Sequence, residues 1–253
     1  MIELNRFYNT GALELLKQVK DKSIDLVLTD PPYIISRNTG FKACGPLGVE
    51  RFRISMDFGR WDNLPMRTHV KLIRTAIKEY YRVLKNSGSC IIWYDLFKIG
   101  ALKEWMEDAG LKQVRFIEWI KTNPVPINSK TNYLTNSREV ALSAVKSGKP
   151  VFNSVYDNGV YSAPIHRDGG KRLHPTQKPL GITRELILKH SLEGGTVLDT
   201  FCGSGTTLVA AVQTGRNYIG CEIDKNYYNS GLKRLEKVKG SAESAEESRS
   251  AGV

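Results

Sequence analysis

Apolar and polar positions follow two periods along the chain, and they divide it into strands and helices. Ile24, Leu26, Val27 and Leu28 make a short apolar run of the kind a buried strand gives. Val70, Ile73, Ile77, Tyr80, Tyr81 and Leu84 recur at helical spacing between Thr68, a plausible N-cap, and Asn86-Ser87-Gly88. Ser89–Tyr94 reads as a strand, 97–109 as a helix closed by Gly110, and 111–120 as an alternating strand. A strand over Glu139–Val145 follows, then a helix over Leu180–His190 and a short strand over Thr196–Asp199. Leu208–Gln213 and Tyr227–Val238 read as helices on either side of a strand at Asn217–Cys221. Met1–Tyr8 fits a short strand, and Leu13, Leu15, Leu16 and Val19 fit a turn or two of helix. Strands alternating with helices predict a doubly wound α/β domain over residues 1–238. Two long stretches lack any period, 34–66 and 122–173 apart from its strand at 139–145, and both are rich in Gly, Arg and Lys. The first reads as a mobile flap, the second as an insertion that recognises a target. From Lys239 the chain is low in complexity and reads as a disordered tail.

Composition narrows the class. Of 253 residues, 41% are hydrophobic and 25% charged, enough for one large core. Lys and Arg number 37 against 26 Asp and Glu, a net charge of +11 that points to an acidic polymer as partner. The four cysteines, Cys44, Cys90, Cys202 and Cys221, show neither zinc spacing nor a disulfide framework. Without a long apolar run or a signal sequence, the expectation is a reduced, cytoplasmic protein with no membrane span.

Two stretches carry chemistry. After the strand at 24–28 come Asp30-Pro31-Pro32-Tyr33, and neither proline can donate a ladder hydrogen bond. They place an acid and an aromatic ring at the carboxyl edge of a parallel sheet, where ligands bind in such folds. Taken alone, turn chemistry accounts for this segment. The second stretch is Val197-Leu198-Asp199-Thr200-Phe201-Cys202-Gly203-Ser204-Gly205-Thr206-Thr207, a strand that runs through a Gly-x-Gly turn into a helix. Glu222 stands at the end of the next strand, where an acid hydrogen-bonds ribose hydroxyls in nucleotide folds. The turn lacks the third glycine of a dinucleotide cradle and the Lys-Ser/Thr of a P-loop. A nucleoside cofactor without pyrophosphate remains, and S-adenosylmethionine satisfies that description.

TDPPY at 29–33, HPTQKP at 174–179 and FCGSGTT at 201–207 together resemble the β-class S-adenosylmethionine-dependent DNA amino-methyltransferases. The resemblance extends to about residue 238. It implies a Rossmann-like methyltransferase fold with a mixed seven-stranded sheet, helices on both faces and a circularly permuted motif order. It implies that the Asp30 carboxylate and Pro31 carbonyl hold an exocyclic amino group, with Pro32 fixing the turn and Tyr33 stacking on a flipped base. It assigns Asp199, Phe201, Gly203, Ser204, Gly205, Thr206 and Glu222 to the cofactor, and puts Thr176 and Lys178 near its carboxylate; Asp30 also borders it. The implied substrate is adenine N6 in double-stranded DNA, with cytosine N4 as the alternative. A homodimer and a cognate restriction endonuclease are implied as candidate partners. Two positions depart from the family pattern: Gly11 stands where many relatives have an Asp that contacts the cofactor adenine, and Ile34 where many have Asn. Gly11 is the one feature that favours a catalytically silent DNA-binding relative; intact Asp30, Pro31, Tyr33 and Glu222 oppose that reading.

Overall fold

The computed structural model describes residues 2–33, 40–44, 50–55, 66–124, 134–165 and 177–250. In chain order its elements are β1 (Arg6–Tyr8), α1 (Ala12–Leu16), β2 (Ile24–Thr29), β3 (Gly40–Cys44), β4 (Glu50–Ser55), α2 (Met66–Val83) and β5 (Leu84–Tyr94). After a 3₁₀ turn at Leu96–Lys98 come α3 (Ile99–Asp108), β6 (Lys112–Lys121), β7 (Arg138–Val145), β8 (Val160–Ala163) and α4 (Leu180–His190). β9 (Thr196–Asp199), α5 (Thr206–Gln213), β10 (Asn217–Cys221) and α6 (Lys225–Ser250) complete the chain.

The main sheet has eight strands in the order β1-β10-β9-β2-β5-β7-β6-β8. Within it β7 alone runs against its two neighbours, β5 and β6; the other pairs are parallel. The sheet is therefore mixed, as expected, but has one strand more than the seven implied. The extra strand is β8, a four-residue edge strand paired with β6 through Glu118↔Val160 to Lys121↔Ala163. It lies in a stretch without periodicity because an edge strand of this length buries little: only Tyr161 of its residues is buried.

Period-two alternation on the central strands assigns each face its helices. Val27, Cys90, Ile92 and Leu198 point to α1, α2 and α3, packing on Leu15, Ile73, Ile77 and Leu102. Leu26, Leu28, Ile91, Trp93 and Val197 point the other way, to Ile182, Leu186, Leu208 and Leu235 of α4, α5 and α6. Both faces are covered, so the central strands read as continuous apolar runs.

Two stretches differ from the sequence expectation. Residues 40–44 and 50–55, within the stretch read as irregular, form the antiparallel pair β3–β4, with Phe41 opposite Ile54 and Ala43 opposite Phe52. The remainder of the proposed flap, 34–39, 45–49 and 56–65, lies outside the described residues, as do 125–133 and 166–176 of the insertion. The last helix does not stop at Val238 but continues to Ser250, into the stretch read as disordered. Ala and Glu, which recur there, are strong helix formers, so propensity extends a helix that low complexity hides.

Candidate active site

β2 and β9 lie side by side and parallel, with Leu26 opposite Val197 and Val27 opposite Leu198. From this seam the chain leaves in opposite directions: β2 leads through α2 to β5 on one side, and β9 through α5 to β10 on the other. A reversal of this kind opens a crevice at the carboxyl ends of the strands. The two motifs meet there. Thr29 Oγ1 donates to Asp199 Oδ1 at 2.7 Å, joining residues 170 positions apart.

On the β2 side, Pro31 and Pro32 are buried and Asp30 and Tyr33 partly so. Tyr33 Oη donates to Asp30 Oδ1, and its ring meets Tyr94 edge-on at 5.6 Å. The Tyr33 carbonyl accepts from Lys98 Nζ, fixing the loop from the 3₁₀ turn after β5. Lys178 Nζ donates to Asp30 Oδ2 and lies 3.4 Å from Tyr33 Oη. Burial pushes the Asp30 carboxyl up, against Lys178 and Tyr33, which favour its ionised form. Burial and the Asp30 charge together push the Tyr33 phenol well up, so it remains a donor.

On the β9 side the glycine turn is tightly built. Phe201 N donates to Asp199 Oδ1 at 3.0 Å, Gly203 N to Glu222 Oε2 at 2.8 Å and Gly205 N to the Cys202 carbonyl at 2.8 Å. Gly205 takes φ +77°, a left-handed angle that a side chain resists, and opens α5 as its N-cap. Gly231 of α6 touches the turn from behind: a Cβ there would sit 3.1 Å from Ser204 C and 2.8 Å from Phe7 Cε1. Arg234, one helical turn further, donates to the Ser204 carbonyl at 2.7 Å and reaches Thr206 Oγ1 at 3.2 Å. The hydroxyls of Ser204 and Thr206 thus brace the turn from within. Glu222 Oε1 also accepts from Asp224 N at 2.8 Å. A carboxylate has lone pairs beyond these two bonds with which to accept from hydroxyls.

The charges around the turn suit a cation. Burial raises the Asp199 carboxyl to about 6, against Thr29 and the Phe201 N–H, with Asp30 adding repulsion. Burial likewise raises Glu222, and Asp199 adds to it. A ligand carrying a sulfonium and an ammonium group relieves this strain, so the residues present fit S-adenosylmethionine.

A scan against protein families matches residues 24–233 to a family described as DNA methylase. The chain belongs to that family. The Type II methyltransferase M2.DpnII of Streptococcus pneumoniae is 33% identical over 90% of this chain and 88% of its own. Among solved structures, the M1.HpyAVI complex with S-adenosylmethionine superposes with a TM-score of 0.68 at 28% identity, over 91% of this chain and 98% of that one. The PvuII cytosine-N4-specific DNA methyltransferase has a TM-score of 0.71 at 18% identity, over 95% of this chain and 92% of that one, and shows the shared fold. The methylase uses S-adenosylmethionine as its methyl source and DNA as its substrate.

The methylase structure brings Asp30, Tyr33, Asp199 and the glycine turn to one crevice, as the motifs predict. The Lys178 ammonium is engaged by Asp30, and lies 3.0 Å from Glu139. Thr176 lies outside the described residues. Residues without a sequence motif also shape the site. Lys98 holds the Tyr33 loop, and Gly231 and Arg234 back the glycine turn. Glu139 opens the apolar strand β7 as a lone acid, 2.8 Å from Lys121. That acid at the head of a buried strand was the available signal.

Proposed function

We propose that the methylase modifies the N6 amino group of adenine flipped out of double-stranded DNA. The observation that carries this reading is the β2–β9 seam, which sets Asp30 beside the glycine turn and joins them through Thr29 and Asp199. An exocyclic amine is a poor nucleophile because its lone pair is delocalised into the ring. Asp30 and the Pro31 carbonyl accept its two hydrogens and favour a pyramidal nitrogen. Tyr33 stacks on the base, a contact worth ~1–3 kcal/mol. Asp199 and the backbone of Phe201, Gly203 and Gly205 hold the methionine end of the cofactor, with Ser204 and Thr206 beneath them, and Glu222 takes the ribose. When bound, S-adenosylmethionine supplies a methyl group on a sulfonium, and alignment of the two reactants contributes much of the rate. Thr176 belongs with this cofactor set by its motif.

The same residues serve cytosine N4, and the PvuII enzyme with this fold is named as cytosine-N4-specific. Duplex DNA incubated with the methylase and labelled cofactor, then digested to nucleosides and resolved by mass spectrometry, separates the two. N6-methyladenine is expected; N4-methylcytosine alone would move the assignment. Asp30→Ala should abolish transfer and leave cofactor binding intact, and substantial residual transfer in that variant refutes the role given to Asp30. The residues of 34–66 and 122–173 read the DNA in this proposal. The Type II designation of the relatives supports a restriction endonuclease as counterpart, in the cytoplasm. A homodimer is the expected assembly; a monomer mass by light scattering would exclude it.

A further inference from the structure

Lys178 stands in the middle of a row of alternating charge that runs through the site. Tyr33 Oη donates to Asp30 Oδ1, and Lys178 Nζ to Asp30 Oδ2. On its other side Lys178 Nζ lies 3.0 Å from Glu139 Oε2, and Glu139 Oε1 lies 2.8 Å from Lys121 Nζ. The row spans the loop after β2, the segment before α4, the start of β7 and the end of β6. The Lys178 side chain is only 7% exposed, so these carboxylates rather than water must carry its charge.

The two carboxylates differ in one respect. Asp30 receives an aligned hydrogen bond on each oxygen. Glu139 Oε2 is buried and 3.0 Å from Lys178 Nζ, close enough for the two charges to interact strongly, but among the described residues it has no hydrogen bond of good geometry. It is a second acceptor with capacity in hand, next to an ammonium committed to the first. If the target amino group is to donate to Asp30, it competes with Lys178 for the same carboxylate. An ammonium displaced into this site without a second carboxylate would be left buried and unpaired.

We infer that Glu139 is a positioning residue for methyl transfer: it receives Lys178 as the target amino group takes Lys178's place on Asp30. The inference rests on Asp30 being the acceptor of that amino group. Before substrate arrives, the ammonium favours the ionised form of Asp30 against a burial that pushes its carboxyl up. Afterwards a short movement of Nζ toward Oε2 keeps the ammonium paired, while Lys121 anchors Glu139. Burial works against the Glu139 charge, but Lys178 and Lys121 outweigh it and hold its carboxyl low, ready to receive a cation. Among the described residues, the other titratable groups facing this row are Tyr33 on the Asp30 loop, Asp199 on β9 and Asp95 after β5.

The test is the pH dependence of kcat on duplex DNA, using the full chain. Glu139→Gln leaves Lys178 on Asp30. Its kcat should fall about tenfold, cofactor affinity should hold, and the acidic limb should move to lower pH. Lys178→Met should move that limb to higher pH, because Asp30 loses its cation. The double variant should be faster than Glu139→Gln alone, since no ammonium remains to cover Asp30. A Glu139 of purely structural value would instead give a lowered melting temperature, an unmoved limb and a double variant no better than either single one. That outcome overturns the inference. Should Glu139→Gln fail to fold, Glu139→Asp must restore the wild-type limb, and Lys178→Met must still raise it; failure of either overturns it too. Transfer by Asp30→Ala would refute the acceptor assignment, whereas an inert Asp30→Ala beside an unaffected Glu139→Gln would refute this inference alone.

Discussion

Asp199 does three things with one carboxylate. Its Oδ1 accepts from both Thr29 Oγ1 and Phe201 N, so it shapes the turn and fastens the turn to β2. Its charge awaits a cation, and burial lifts its pKa from 3.8 to about 6. The sign follows from linkage. A carboxyl raised in the folded state favours folding fully below its unfolded pKa, and that contribution is lost as pH rises through about 6. Cofactor binding should run the other way. Affinity for S-adenosylmethionine, measured by calorimetry, should strengthen as pH rises through about 6. Asp199→Asn keeps an Oδ1 for both hydrogen bonds but loses the charge. It should bind the cofactor more weakly, with a flat pH response and a melting temperature that no longer declines across that range. An undiminished pH response in the variant would show that another group is responsible. At this scale the sequence was informative about Asp30 and Tyr33, which flank two prolines after a strand, and about Asp199 and Glu222, which close the strands before and after the glycine turn. It said little of Lys178 and nothing of Glu139, since their roles depend on which side chain faces which across strands far apart in the chain.

The elements divide in the same way. Strands buried on both faces and helices with one apolar stripe announce themselves, so α4, β9 and β10 fall on the residues their pattern predicts. β8 and the β3–β4 pair do not. A short edge strand or an isolated ribbon is set by pairing partners rather than by its own alternation. The glycine turn needs a partner as well. Its sequence lacks a third glycine, and the close approach that such a residue permits is supplied from α6 by Gly231. Gly231→Ala would push a methyl group into Phe7 and the Ser204 backbone. Phe7 is held by its ring contact with Tyr228 at 4.7 Å, so it cannot move away freely. Overpacking of this kind costs about 1–3 kcal/mol. A lowered melting temperature together with weakened cofactor binding is expected. The neighbouring surface change Lys233→Ala should alter neither, and an unperturbed Gly231→Ala would show that α6 does not govern the turn.

For the molecule as a whole, the net charge of +11 and a DNA substrate predict association dominated by phosphate contacts. If six to ten phosphates are neutralised, affinity should drop by roughly 10³–10⁵ between ~50 and ~200 mM salt. Fluorescence anisotropy over a salt series measures the slope, and a slope near zero would exclude such a footprint. Among the described residues no helix is long and apolar enough to cross a membrane. The β2–β9 seam also governs how the chain reaches its native state. β2 lies near the start of the sequence, yet one of its edges has no partner until β9 exists, and β1 must wait still longer, for β10. During synthesis the segment bearing Asp30 therefore emerges with β2 offering an open edge of unpaired N–H and C=O groups, which invites misjoining with other chains. Contacts between such distant segments close slowly because much chain must be ordered before they form. Asp30 is thus among the first residues made and among the last to be surrounded, so activity should return late in refolding, with the pairing of β9 rather than with the early helices.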